Sequence, residues 1–264
     1  MRWRRVALAA AAVVVVGLAV VAIAFVRRST PEPVSMDRAV QRFRSTGDDE
    51  IAPGPRSFGV YEARGEGENH VSAPPSDQVD SATMPVTVAA AGRGCWMWRI
   101  DHNSAHHSEL ELCRSGSSIA VAAQRTRQSW DWGVVQVDNL TEYRCRPSIV
   151  VVTAAGEPPD QVRSCTGSSS ALDGETTVEI RVATIGVEPV RIDGEEVPAI
   201  HQRWDQTLTG AQTGDLTEDW WFATEDGLPL QATRSYRLET RTPIGTTAYR
   251  EDGSWSLASL APRR

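Results

Sequence analysis

The sequence predicts a mainly β protein in which an N-terminal transmembrane helix precedes one antiparallel sheet. Three observations carry that expectation. Val6 to Val26 forms an uncharged run between "MRWRR" and Arg27–Arg28; at about 1.5 Å per residue it spans roughly 31 Å, one bilayer core. From residue 57 onward the chain breaks into short β-branched and aromatic runs cut by Gly, Pro and Asp, without intervening helical periods. Two pairs of these runs can be laid against each other in registers that suit both faces of a sheet.

The first element reads as an uncleaved signal anchor over residues 1–28. A cleaved signal peptide competes, since "AIA" at Ala22–Ala24 resembles a cleavage site, but the apolar stretch is long for a signal. Arg2, Arg4 and Arg5 outnumber Arg27 and Arg28, which places the N-terminus in the cytoplasm and the rest of the chain outside. All four cysteines follow the anchor, as an oxidising compartment would suit. The expected localisation is therefore the cell membrane, single-pass, with an extracytoplasmic C-terminal domain.

Residues 29–56 begin with prolines and then offer "MDRAVQRF", a short helix with Asp37 in its first turn, in what reads as a juxtamembrane spacer. Residues 57–264 form the β domain, of a length that suits one core. Its strands include "SFGVYEA", "CWMWRID", "SELELCR", "WDWGVVQV", "PSIVVVTA" and "TTVEIRVATIG". Setting Cys95 opposite Cys113 in a hairpin puts Trp96 across from Leu112 and Trp98 across from Leu110. Arg99 then meets Glu109 on the other face. Four cysteines permit three connectivities; this register favours Cys95–Cys113 and, by elimination, Cys145–Cys165.

In "DWWFATEDGLPLQATRSYRLE", Leu228, Leu230, Ala232, Tyr236 and Leu238 share one face, interrupted by Arg234. A three-residue loop with Gly227 left-handed sets Trp220 opposite Ala232 and Phe222 opposite Leu230. Trp220 then belongs to the core, and Trp221 is left near Gln231 as the one candidate ligand-binding residue. A four-residue loop inverts the pair. Trp96/Trp98 and Trp130/Trp132 stand two apart, so each pair shares a face and reads as core.

Several chemistries are excluded. Beyond Arg28 the chain holds 22 arginines against 34 acidic residues, a balance that disfavours nucleic acid. It contains no lysine, which removes Schiff-base and P-loop chemistry. "DHNSAHHSE" holds His102 and His106 four apart, but in a hairpin tip rather than a helix, so it reads as a solvated loop with no metal. "RSGSS" and "TGSSS" read as turns, not nucleophile elbows. "DGEE" at Asp193–Glu196 reads as a turn entering a strand. No cofactor and no catalytic residue is expected.

The order of "GVY" at Gly59, Cys95-Trp-Met-Trp98 answered by "ELC" at Glu111, Tyr143-Arg-Cys145, "IDGEEVPAIHQRW" and "DWWFATEDGLPLQA" resembles exported, membrane-anchored proteins of actinobacteria. Their C-terminal part is in turn similar to the LolA-like lipoprotein-carrier superfamily. The resemblance covers about Ser57 to Leu257 and implies a strongly curved, half-barrel-like antiparallel sheet with no catalytic residues. The chain departs from the lipoprotein members in having a helix where they carry a lipidated cysteine, and it lacks the helices that close the half-barrel mouth. Two functions follow as expectations: a non-enzymatic, membrane-anchored binding or structural domain of the cell envelope with an envelope protein or lipid as partner, or a lipid- or lipoprotein-binding carrier or sensor.

Overall fold

The computed structural model describes residues 30–45 and 58–264, apart from 93, 134, 243 and 244. One helix, α1 (Met36–Ser45), precedes the strands β1 (Gly59–Ser72), β2 (Pro75–Val79), β3 (Thr83–Ala90), β4 (Cys95–Asn103), β5 (His106–Ser115), β6 (Ser118–Asp131) and β7 (Gln136–Val152). They are followed by β8 (Gln161–Ser169), β9 (Thr176–Ile192), β10 (Glu195–Gly210), β11 (Gln212–Ala223), β12 (Pro229–Thr242) and β13 (Gly245–Leu257). Apart from β2, a short hairpin partner lying on β1, each strand is hydrogen-bonded to its neighbours in an up-and-down order. Tight turns join them: Asp193 and Gly194 both take positive φ between Ile192 and Glu195, as a two-residue hairpin loop demands.

The sheet closes. β13 returns to β1 and pairs with it from Ala63↔Leu257 to Val71↔Tyr249, so that twelve strands form a ring. The half-barrel expectation is corrected on this point. A period of two along each strand looks the same in an open sheet and in a closed one, and the pairing that decides between them joins the two ends of the chain. Closure also leaves neither terminal strand with an unpaired edge.

The membrane expectation is corrected as well. Among the described residues no helix is long and apolar enough to cross a membrane. The anchor expected over Val6 to Val26 lies outside the described residues, and the single-pass, cell-membrane localisation built on it has no support in the structure. Over the described residues the fold is a closed β barrel with one short helix.

That helix is the expected "MDRAVQRF" segment, and it belongs to the barrel rather than to a spacer. Ser35 caps it, accepting a hydrogen bond from the Arg38 amide at 3.2 Å. Its apolar face, Ala39, Val40 and Phe43, packs on Val60, Phe58 and Ala89 on the outside of the wall. Arg42 pairs with Asp101, the Ser104 amide donates to the Glu32 carbonyl at 2.8 Å and the Glu32 amide donates to the Ser104 hydroxyl at 2.9 Å, which fixes the segment to the β4–β5 hairpin.

Both disulfides form as the sequence register anticipates, Cys95–Cys113 and Cys145–Cys165. Trp96 stands opposite Leu112, Trp98 opposite Leu110 and Arg99 opposite Glu109, with Arg99 donating to Glu109 at 3.2 Å. Trp220 pairs with Ala232 and Trp221 with Gln231, and Gly227 is left-handed. A bulge after Trp221 shifts Phe222 to Pro229 instead of Leu230.

One end of the barrel is filled solid by Tyr61, Met84, Trp96, Leu112, Ile119, Ile149, Ile180, Trp204 and Phe222, all buried. Above them Trp98, Trp220 and Trp255 meet in a cluster with ring centroids 5.0 to 6.0 Å apart. These three rings end the packed layer, and the space beyond them is hollow.

Candidate functional site

The hollow is a cavity of about 560 Å³, a size within the roughly 300–1,000 Å³ of small-molecule sites. Its floor is the Trp98, Trp220 and Trp255 layer. Its walls are the inward residues of every second position, among them Leu110, Leu216, Leu238, Trp130 and Val137. The loops that contribute to it, through Ala73, Trp132, Val135 and Leu172, all lie at the end opposite the packed core. β6 reaches it by a change of phase: Ile119, Val121 and Ala123 are buried in the core, and after the irregularity at Val121/Ala123 the even positions Gln124, Thr126, Gln128 and Trp130 line the cavity.

Within this apolar lining sit two buried polar groups. In the first, Arg234 of β12 donates to Asp80 through Nη2 at 2.5 Å and to Glu251 of β13 through Nε. The Tyr249 hydroxyl donates to Glu251 at 2.5 Å, His102 Nδ1 lies 3.5 Å from Asp80, and His106 Nε2 lies 3.9 Å from Glu251. The two imidazole rings lie 4.5 Å apart, and Asn69 sits against His106 at 3.4 Å. Burial works against the charge on Arg234, but Glu251 and Asp80 outweigh it and raise its pKa, so the guanidinium stays protonated. Burial first, and the Arg234 charge second, push His102 well down and His106 to about 3. Both are neutral at pH 7.

The second group is Glu218 of β11, fully enclosed. It accepts from the Tyr236 hydroxyl, from Gln206 Nε2 at 2.8 Å and from Gln124 Nε2 at 3.4 Å. Burial raises its pKa above the usual carboxylate range, and burial likewise raises Tyr236 well above that of a free phenol.

The sequence places these residues unevenly. The "DHNSAHHSE" tip, expected to be solvated, is a correction: Asp101, His102, Asn103 and His106 are each 3% exposed or less. The reason is long-range. The chain after β2 lies over the tip, with Ser81 bonding the His102 carbonyl at 2.8 Å, Asn103 bonding the Val79 carbonyl at 3.2 Å, and Ser129 of β6 bonding Ala105 at 2.8 Å. His102 and His106 do come together, but Arg234 already occupies the ground between the two carboxylates. Among the described residues, the three-ligand group with metal spacing is Cys95, Glu111 and Cys113, whose sulfurs are joined to each other.

Trp221 stands on the outer face. Its ring stacks on His201 at 4.1 Å, and its indole N–H donates to Glu188 at 3.1 Å. The cavity is lined by its neighbour Trp220. Arg234, Glu251, Asp80 and Glu218 carry the polar wall without having been singled out as site residues. The signal for one of them was present, since Arg234 interrupts an otherwise apolar face of β12.

No family model matches the chain, and no curated protein matches it. Among solved structures it is similar to the crystal structure of the hypothetical lipoprotein YmcC from Escherichia coli K12, at 14% identity and a TM-score of 0.35. That alignment covers 85% of this chain and 97% of the other. At this TM-score the likeness carries no argument about function. Neither the actinobacterial nor the LolA-like resemblance is confirmed by these comparisons.

Proposed function

We propose that the protein binds one small amphipathic, lipid-like molecule inside the barrel, as a carrier or sensor rather than as an enzyme. The observation that carries this reading is the cavity of about 560 Å³, floored by three indole rings and bounded on one side by a buried polar wall. Apolar surface of this extent is stabilised by covering it, at about 25 cal/mol per Å². Binding rather than catalysis fits the wall: Asp80 and Glu251 are tied to Arg234, and Glu218 is tied to Tyr236 and Gln206.

The reading is tested by titrating the protein with a twelve-carbon amphiphile below its micelle concentration while following tryptophan emission. Saturable quenching is expected, because five tryptophans, Trp98, Trp130, Trp132, Trp220 and Trp255, line the cavity. Thr126→Trp, which places a ring in the cavity wall, should abolish the response. Equal responses from both proteins would show that the amphiphile binds elsewhere.

A further inference from the structure

Three charged side chains reach the cavity from inward positions, Glu218, Arg234 and Glu251. The one guanidinium among them is already committed to two carboxylates, since Arg234 donates to Asp80 and Glu251. Glu218 is met by neutral donors alone, Tyr236, Gln206 and Gln124. The chain holds no lysine that could add a cation. Even with Glu218 protonated, Arg234 with its two carboxylates, Asp80 and Glu251, retains a net negative charge. An anionic head group entering here loses its water and gains no uncommitted cation among the described residues, and an unpaired buried charge is strongly disfavoured.

The other polar groups of the wall are uncharged. Gln124, Thr126, Gln128, Asn139, Thr141 and Gln206 all contribute to the lining. Amide and hydroxyl groups of this kind exchange hydrogen bonds with a ligand oxygen that brings no charge.

We infer that the cavity selects an uncharged, oxygen-bearing amphiphile, such as a long-chain alcohol or monoacylglycerol, over a carboxylate- or phosphate-bearing one of the same chain length. This inference rests on the proposed binding function and adds the chemical class of its ligand.

The test uses the full chain at pH 8 and three probes with one alkyl length: 1-monolauroylglycerol, laurate and dodecylamine, each below its micelle concentration. Monolauroylglycerol should bind at least about tenfold more tightly than laurate, since 1.4 kcal/mol is tenfold in affinity and an unpaired buried charge costs more than that. In Thr126→Val its affinity should fall severalfold, while that of octane, which forms no hydrogen bond, stays within about twofold. Laurate binding as tightly as the glyceride overturns the inference but leaves the binding reading standing. Dodecylamine binding most tightly also overturns it, because the wall would then be reading a cation. Failure of all three probes and of octane rejects the binding reading itself, and the inference with it.

Discussion

Gly67 of β1 and Gly253 of β13 stand opposite each other in the register that closes the barrel, and the room left by their missing side chains is taken by Asp80 and Arg234. A Cβ on Gly67 would lie 2.3 Å from the Asp80 carboxylate, and one on Gly253 would lie 3.0 Å from the Arg234 guanidinium. Strand closure and the buried ion group are thus one packing arrangement. Gly67→Ala should cost about 1–3 kcal/mol, the range for overpacking a filled interior. Urea unfolding checks this, with Glu66→Ala, an exposed neighbour, expected within about 0.5 kcal/mol of the parent.

Arg234 pairs with two carboxylates inside the barrel, and removing it leaves both buried without a cation. Arg234→Met should therefore cost about 3–5 kcal/mol. Replacing the whole group, as Asp80→Asn, Arg234→Met and Glu251→Gln together, should recover most of that loss. Recovery measured by denaturant midpoint would show that the penalty belongs to unpaired charge and not to lost volume. A triple variant as unstable as the single one would contradict this.

Acid should destabilise the fold well before its carboxylates titrate. His106 and His107 are each pushed by burial from the usual 6.5 to about 3, and burial lowers His102 well below 6.5. Their stabilising contribution is complete above about pH 6.5, the unfolded value, and is lost as the pH falls toward the folded value. In that window the unfolded chain holds a proton that the folded chain excludes. Each histidine then contributes a slope of about 1.4 kcal/mol per pH unit. Glu218 acts in the opposite sense, because burial lets the folded state keep a proton above pH 4.5 that the unfolded state has released. Unfolding free energies at pH 7 and pH 5 should differ clearly in the parent, and His106→Gln should reduce the slope by one proton.

The disulfides each close a loop of moderate length, with sequence separations of 18 and 20. In the chain-entropy account each is worth about 3 kcal/mol. Replacing either pair by alanine should lower the denaturant midpoint by a corresponding amount, and the parent should show no reactive thiol after unfolding without reductant, all four cysteines being paired.

What could be read from the sequence was local. The Cys95–Cys113 hairpin register and the separation of Trp220 from Trp221 follow from period two and a turn, and both appear in the structure. The helix at Met36 follows from its own short segment, with Asp37 in the first turn. What could not be read depends on contacts between distant strands. The return of β13 to β1 turns a half-barrel into a barrel, and the lid formed by the chain after β2 turns a polar hairpin tip into a buried wall. Arg234 is the instructive case. A charge in the middle of an apolar face looked like an interruption, and only the approach of Asp80, far away along the chain, makes it the centre of the site.

The central claim is that the barrel holds one amphiphile in its cavity. Native mass spectrometry of the full chain mixed with 1-monolauroylglycerol tests it most directly. The account predicts a one-to-one complex for the parent and the bare protein for Thr126→Trp, with both variants folded by circular dichroism. A parent that stays bare, or a complex that forms equally well in both, would contradict it.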